Sequence, residues 1–279
     1  MQATTLLNRL ARAIAWRRPG EPAPAPARKP EPALGAGLAG AGQPARDYLW
    51  RAHLAGHPAA TLERFAGQLR DSSAATLRRR LRLVDPARPG PVRLRAARGD
   101  QPAVPLAQID GTTCGPMTVV VARAVADPVY AWWLTSAGDA EAVARRIVTE
   151  QRRIHDQANR LWPSRLGTTP WGMVAVLRQE LPATRYQWWL VDDTDPASVR
   201  SALDRAGAAV AAGHPVPVLV GARVPRHWVL LLSADPAGGA LVFYNPTGRT
   251  VRLAESEIAA GRLAGLSWPH LQAVVVPRG

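Results

Sequence analysis

At 279 residues the chain is long enough for one or two domains, and 47% hydrophobic residues are enough to fill a core. A single cysteine, Cys114, excludes an internal disulfide, and no run of eighteen apolar residues is present, so no transmembrane segment is expected. The formal charge of +14 is uneven: residues 1–100 carry 18 Lys plus Arg against 7 Asp plus Glu, and the remainder 17 against 14.

Lys29 is the only lysine, so the basic excess is arginine, as GC-rich coding would produce. Its functional reading is a weak anionic partner, nucleic acid or membrane, at the basic N-terminal region. Within residues 1–18, Leu6, Leu7, Leu10, Ala13 and Ile14 fall at helical spacing with arginines on the other faces, which predicts an amphipathic helix. Arg9, Arg12, Arg17 and Arg18 interrupt the apolar stretch that a secretory signal requires. Cytoplasmic residence, or export without a cleavable signal peptide, is the expectation.

Residues 19–45 form a Pro/Ala/Gly-rich tract that cannot pack a core and reads as a linker. Gly35, Gly37 and Gly40 spell the dinucleotide-binding pattern, but no strand precedes them and no βαβ unit surrounds them. Residues 46–100 read as a small basic helical module followed by a loop-like tract from Pro86. Apolar positions recur from Tyr48 to Val84, with Ser72 or Ser73 as a cap. The Arg78-Arg79-Arg80 run could meet phosphates, although a charged helix face is more often simply solvated. A module that packs on the following region, or masks it as a propeptide would, fits this stretch better than a DNA reader.

Residues 101–279 carry the chemistry. Cys114-Gly115-Pro116 precedes an unbroken apolar run from Met117, so the cysteine sits at the start of a buried helix with proline in its first turn. Unpaired backbone N–H groups at that point favour a thiolate. Ala126–Gly138, with Trp132 and Trp133, reads as irregular. Ala140–Leu161 reads as a long helix in which His155 lies exposed among charges. Thr168-Thr169-Pro170 opens another helix, to about Leu181. Tyr186–Val191 reads as a strand, Asp195-Pro196 opens a helix closed by Gly213, and Pro215–Ala222 is a valine-rich strand.

His227 heads the apolar strand Trp228-Val229-Leu230-Leu231-Leu232, and can act as the base. A hairpin-like turn at Ser233–Gly239 leads to Ala240–Tyr244 and then Asn245-Pro246. Antiparallel pairing would return Asn245 to the His227 end, where it could orient the imidazole. Asp235 is a rival placed in the turn, and Asp110 a weaker one. Gln108, six positions before the cysteine, has an amide suited to an oxyanion. Arg249–Leu253, a short helix near Glu255–Ala260, and a strand at Ala273–Pro277 complete the chain.

The order Gln108, Cys114, His227, Asn245, with Cys-Gly-Pro, His-Trp before aliphatic residues, and Asn-Pro, resembles the papain-like cysteine peptidases. The likeness is nearest to the bacterial branch related to the double-glycine-leader peptidases, and it spans Pro105 to the C-terminus. It implies an α+β, papain-like fold in which the nucleophile helix packs on an antiparallel sheet. It also implies thiol-dependent cleavage of peptide or protein substrates through a Cys-His-Asn triad, with Gln108 at the oxyanion. Protein glutamine deamidation or transglutamination would use the same residues, and a catalytically silent binding module with a basic N-terminal contact region is the alternative from another class. No cofactor and no metal are called for.

Overall fold

The computed structural model describes residues 43–94, 102–160, 162–235 and 239–278. The helix expected within residues 1–18, the glycine pattern at 35–40 and most of the linker lie outside them. The chain folds as α+β around a seven-stranded sheet with antiparallel pairing throughout.

Three helices come first: α1 (Gln43–Leu54), α2 (Ala59–Arg70) and α3 (Ala74–Leu81), the last capped by Ser73, whose side chain accepts from the Thr76 N–H. The tract read as a loop then supplies β1 (Gly90–Pro91), paired with the sheet's edge, and β2 (Arg93–Leu94), paired with β3 (Val104–Pro105). Next are α4 (Cys114–Ala126), α5 (Pro128–Thr135), α6 (Ala140–Ala158) and α7 (Pro170–Glu180). Where an irregular stretch was expected, α5 forms because the Asp127 side chain accepts from the N–H groups of Val129 and Tyr130, with Pro128 at the first position. The Asp-Pro pair was a start signal in plain view.

The remaining strands are β4 (Tyr186–Leu190), β5 (Val216–Gly221), β6 (Pro225–Asp235), β7 (Ala240–Asn245), β8 (Arg249–Ala254) and β9 (His270–Pro277). Between them lie α8 (Pro196–Ala211) and α9 (Glu255–Ala259). Their order across the sheet is β1-β8-β7-β6-β5-β9-β4.

Both faces of the sheet are covered, so alternate residues enter two different cores. Leu219, Trp228, Leu230, Tyr244, Ala273 and Val275 face the core that contains α4 and the N-terminal helices. Val218, Val229, Leu231, Phe243, Val274 and Val276 face the second core, with Val199, Ala202, Leu203 and Ala206 of α8. Double coverage explains why β5 and β7 read as unbroken apolar runs although their neighbours are antiparallel.

Helix α4 is apolar on every side because the sheet and α6 enclose it: Met117, Val119, Val120, Val121 and Ala122 are at most 1% exposed. Burial outweighs the modest helix propensity of the three valines, each contributing roughly 1.5–3 kcal/mol when fully enclosed.

The helices of residues 43–81 do not mask Cys114. They meet α5 and the far end of α4, about 18 Å along the helix axis from the cysteine. His57 Nε2 lies 2.9 Å from Asp127 Oδ1, Arg51 donates to the Val125 carbonyl, and Arg80 Nη1 donates to Ser136 Oγ at 2.6 Å while stacking on Trp132. Part of the arginine run therefore serves internal docking. Leu49, Leu62, Phe65, Leu69 and Leu77 join the same core as α4.

Candidate active site

Cys114 is the first residue of α4, and no side chain caps that helix. The preceding turn is held by its own polar groups. The Asp110 carboxylate accepts from the Thr112 N–H and hydroxyl, each at 2.8 Å, and the Thr113 hydroxyl accepts from the N–H groups of Ile109 and Asp110 at 3.2 Å. A thiolate at Cys114 accepts from three backbone N–H groups, those of Trp228, Gly115 and Cys114 itself.

The Trp228 contact brings the helix start against β6, beside His227. Trp228 is 1% exposed and binds three segments at once. Its carbonyl accepts from Thr118 Oγ1 at 3.3 Å, and its indole N–H donates to the Thr168 carbonyl at 2.7 Å. Gly115 is required here, because a Cβ at that position would lie 2.5 Å from Thr168 Oγ1.

β7 returns Asn245 to the His227 end as expected, with Leu230 opposite Tyr244 and Leu231 opposite Phe243. His227 Nε2 lies 2.9 Å from Asn245 Oδ1. The same Oδ1 accepts from the Thr247 N–H at 3.1 Å, which fixes it as an acceptor. Nε2 must therefore carry the ring proton, and in the neutral ring Nδ1 is left as the basic nitrogen.

Gln108 joins this group through the same turn. Its N–H donates to the Pro246 carbonyl at 2.7 Å, and Gly248, with φ of 90°, permits the close approach of Ala107. The Gln108 amide donates one hydrogen to the Asp110 carbonyl at 2.7 Å, while its Oε1 is enclosed without a partner. The structure thus assembles all four sequence-predicted residues around the start of α4. Asp235 ends β6 opposite Ala240, away from His227, and Asp110 is occupied by Thr112.

The electrostatics differ from the sequence expectation of a ready thiolate. Burial, the largest influence, pushes the Cys114 thiol up. The three N–H groups only partly oppose it, and the Asp110 charge adds to the rise. Burial likewise pushes the His227 imidazole down, against the bond to Asn245. Both directions favour a neutral thiol beside a neutral imidazole. With Cys114 4% and His227 8% exposed, the pair is nearly enclosed.

Several contributors carry no conventional sequence motif. Gln151 on α6 is fully buried; its Nε2 donates to the Ala107 carbonyl at 3.1 Å and its Oε1 accepts from the Ile109 N–H at 3.2 Å. Gln272 on β9 is equally buried and donates to the Ala222 carbonyl at 2.8 Å, in the turn before His227. Each was visible only as a polar residue interrupting an apolar stripe: Val143, Ile147, Gln151, Ile154, Ala158 in one case, Leu271, Gln272, Ala273 in the other. His155, expected to be exposed, is half-buried, and its Nε2 is enclosed without a partner.

The rim is apolar. The segment carrying Thr168 also presents Leu166 and Trp171, 60% and 53% exposed, and Ile109 stands on the Gln108 side at 37%. Trp162 packs edge-on against Trp171. Among the described residues no group of three or more His, Cys, Asp and Glu side chains is arranged to hold a metal ion, and no helix is long and apolar enough to cross a membrane. No family model, curated protein or solved structure matches the chain.

Proposed function

We propose that the chain is a thiol-dependent acyl-transfer enzyme of papain-like type, hydrolysing amide bonds in peptides or proteins. The observation that carries this reading is the hydrogen-bonded path from His227 through Asn245, at 2.9 Å, and Pro246 to Gln108, at 2.7 Å, on the turn that leads into the sole cysteine. His227 Nδ1 takes the Cys114 proton as the sulfur attacks the substrate carbonyl, and the resulting imidazolium then gives that proton to the departing amine. Water attacks the thioester with His227 again as base, releasing the acid and restoring the thiol. Gln108 and the Cys114 N–H stabilise the oxyanion in both steps, and the enclosed setting strengthens that contribution. The exposed Ile109, Leu166 and Trp171 suit an extended substrate with apolar side chains.

One observation favours a catalytically silent module instead: the sulfur is enclosed and its pKa is raised. Incubating the full-length protein with casein separates the readings. New amino termini from the wild type and none from Cys114→Ser support the peptidase. Ammonia without new termini moves the assignment to glutamine deamidation, and amine incorporation moves it to transglutamination. Failure of iodoacetamide to label the native protein between pH 7 and 9, beside a labelled unfolded control, supports the silent module.

A further inference from the structure

Gln108 is held in a costly state. Its Oε1 is shut away from water without a donor, so its rotamer is retained only because the backbone around it is fixed from outside. The Pro246 carbonyl supplies part of that fixing, at Gln108 itself, and α6 supplies it on either side. Gln151 donates to the carbonyl of the residue before Gln108 and accepts from the N–H of the residue after it, spanning the donor on both sides with one side chain. Gln151 has no exposed surface, and it lies on the apolar stripe of α6 between Ile147 and Ile154, so its amide cannot swing out to solvent. A leucine or methionine would fill such a position at lower desolvation cost, and filling alone does not call for an amide. The Ile109 N–H has a second acceptor in Thr113 Oγ1 at 3.2 Å; no second donor to the Ala107 carbonyl is seen among the described residues.

We infer that Gln151 is the positioning residue of the oxyanion site: it sets the peptides flanking Gln108 so that the amide hydrogen not engaged by Asp110 points at the reacting carbonyl. This rests on the acyl-transfer reading above. It assigns to α6, more than forty residues away in sequence, a part in the reaction that touches neither substrate nor sulfur. A buried glutamine that only stabilises the fold would weaken every reaction of Cys114 alike. A positioning residue weakens only those that pass through an oxyanion.

Two small reagents separate these cases without knowledge of the natural substrate. p-Nitrophenyl acetate acylates a cysteine through a tetrahedral oxyanion: the S–C bond forms, the C–O bond to p-nitrophenolate breaks, and the thiol proton leaves through the base. Iodoacetamide alkylates the same sulfur by displacing iodide, with no oxyanion at a carbonyl. For Gln151→Met in the full-length protein, we expect single-turnover acylation of Cys114 to slow about tenfold while alkylation stays within about twofold of wild type. In a Gln108→Ala background the same substitution should then slow acylation less than about twofold, because the donor it positions is gone. Equal slowing of both reagents, or the same tenfold loss with and without Gln108, overturns the proposal. Should Gln151→Met fail to fold, Gln151→Asn, whose shorter side chain keeps an amide but cannot span both the Ala107 carbonyl and the Ile109 N–H, carries the same comparison. A wild-type protein that neither reagent labels sinks the acyl-transfer reading itself, an outcome distinct from a Gln151 variant that tracks wild type.

Discussion

The two ends of α4 are built on opposite plans. At its C-terminal end the charges are paired with one another. Arg123 contacts Glu180, and Arg153 reaches Glu180 at 2.6 Å and Glu150 at 2.9 Å. The Tyr130 hydroxyl donates to Glu150 at 2.9 Å, and Arg123 stacks 4.0 Å from the Tyr130 ring centroid. At its N-terminal end polar atoms are enclosed and left over: Gln108 Oε1, Thr168 Oγ1 and a thiol whose best partners are backbone N–H groups. Arg123 Nε is also enclosed without a partner, but there the charge itself is met by the Glu180 carboxylate. The charge-paired end holds the fold together, and on the acyl-transfer reading the other end is where a substrate's polar atoms would lie.

Changes at the two ends should separate activity from stability. The largest expected effect is Cys114→Ser, which should cut acylation by at least about a thousandfold with little change in the melting temperature. His227→Ala should follow at about a hundredfold or more. At the other end, Glu180→Ala leaves Arg123 and Arg153 without their shared carboxylate and should cost about 3 kcal/mol in urea unfolding, while activity per folded molecule is unchanged. Equal loss of stability from Cys114→Ser and Glu180→Ala would break the comparison.

pH adds a finer test. Because the His227 pKa lies below its ordinary value, neutral imidazole persists down to below pH 6.5, so the acid limb of the acylation profile should fall there rather than at 6.5. The unfolded chain binds that proton more readily, so the same group makes the fold less stable as pH drops below 6.5. The raised Cys114 thiol predicts iodoacetamide alkylation still rising above pH 9. A flat alkylation rate between pH 5 and 8 would instead indicate a preformed thiolate and imidazolium pair. The smallest effect belongs to the exposed Arg145 and Glu141 pair on α6, where Glu141→Gln should change stability by no more than about 0.5 kcal/mol.

The residues of the site were legible because each sits at an element boundary with strong local grammar. Pro116 and the apolar run mark the helix start, the valine and leucine stretch after His227 marks a strand, and Asn245-Pro246 marks its successor's end. What could not be read was anything decided by distant partners. The Trp228 N–H is an anonymous backbone group until α4 docks on β6. Gln151 and Gln272 look like blemishes in apolar stripes until the carbonyls they hold are in place. The direction of the Cys114 shift escapes the sequence, because the helix start is visible there and the depth of burial is not. Likewise β1 and β2 are two-residue strands whose pairing depends on β8 and β3, and no pattern that short announces itself.

The bond from the Gln108 N–H to the Pro246 carbonyl sets the order in which this molecule can become competent. Gln108 and Cys114 leave the ribosome more than a hundred residues before His227, and Asn245 comes later still. A nascent chain therefore carries its sulfur through more than a hundred residues of synthesis with no imidazole to take its proton and no turn to seat Gln108. On the acyl-transfer reading, reactivity arrives only when β6 and β7 have closed over the start of α4, and a chain stopped short of residue 246 lacks the turn that seats Gln108.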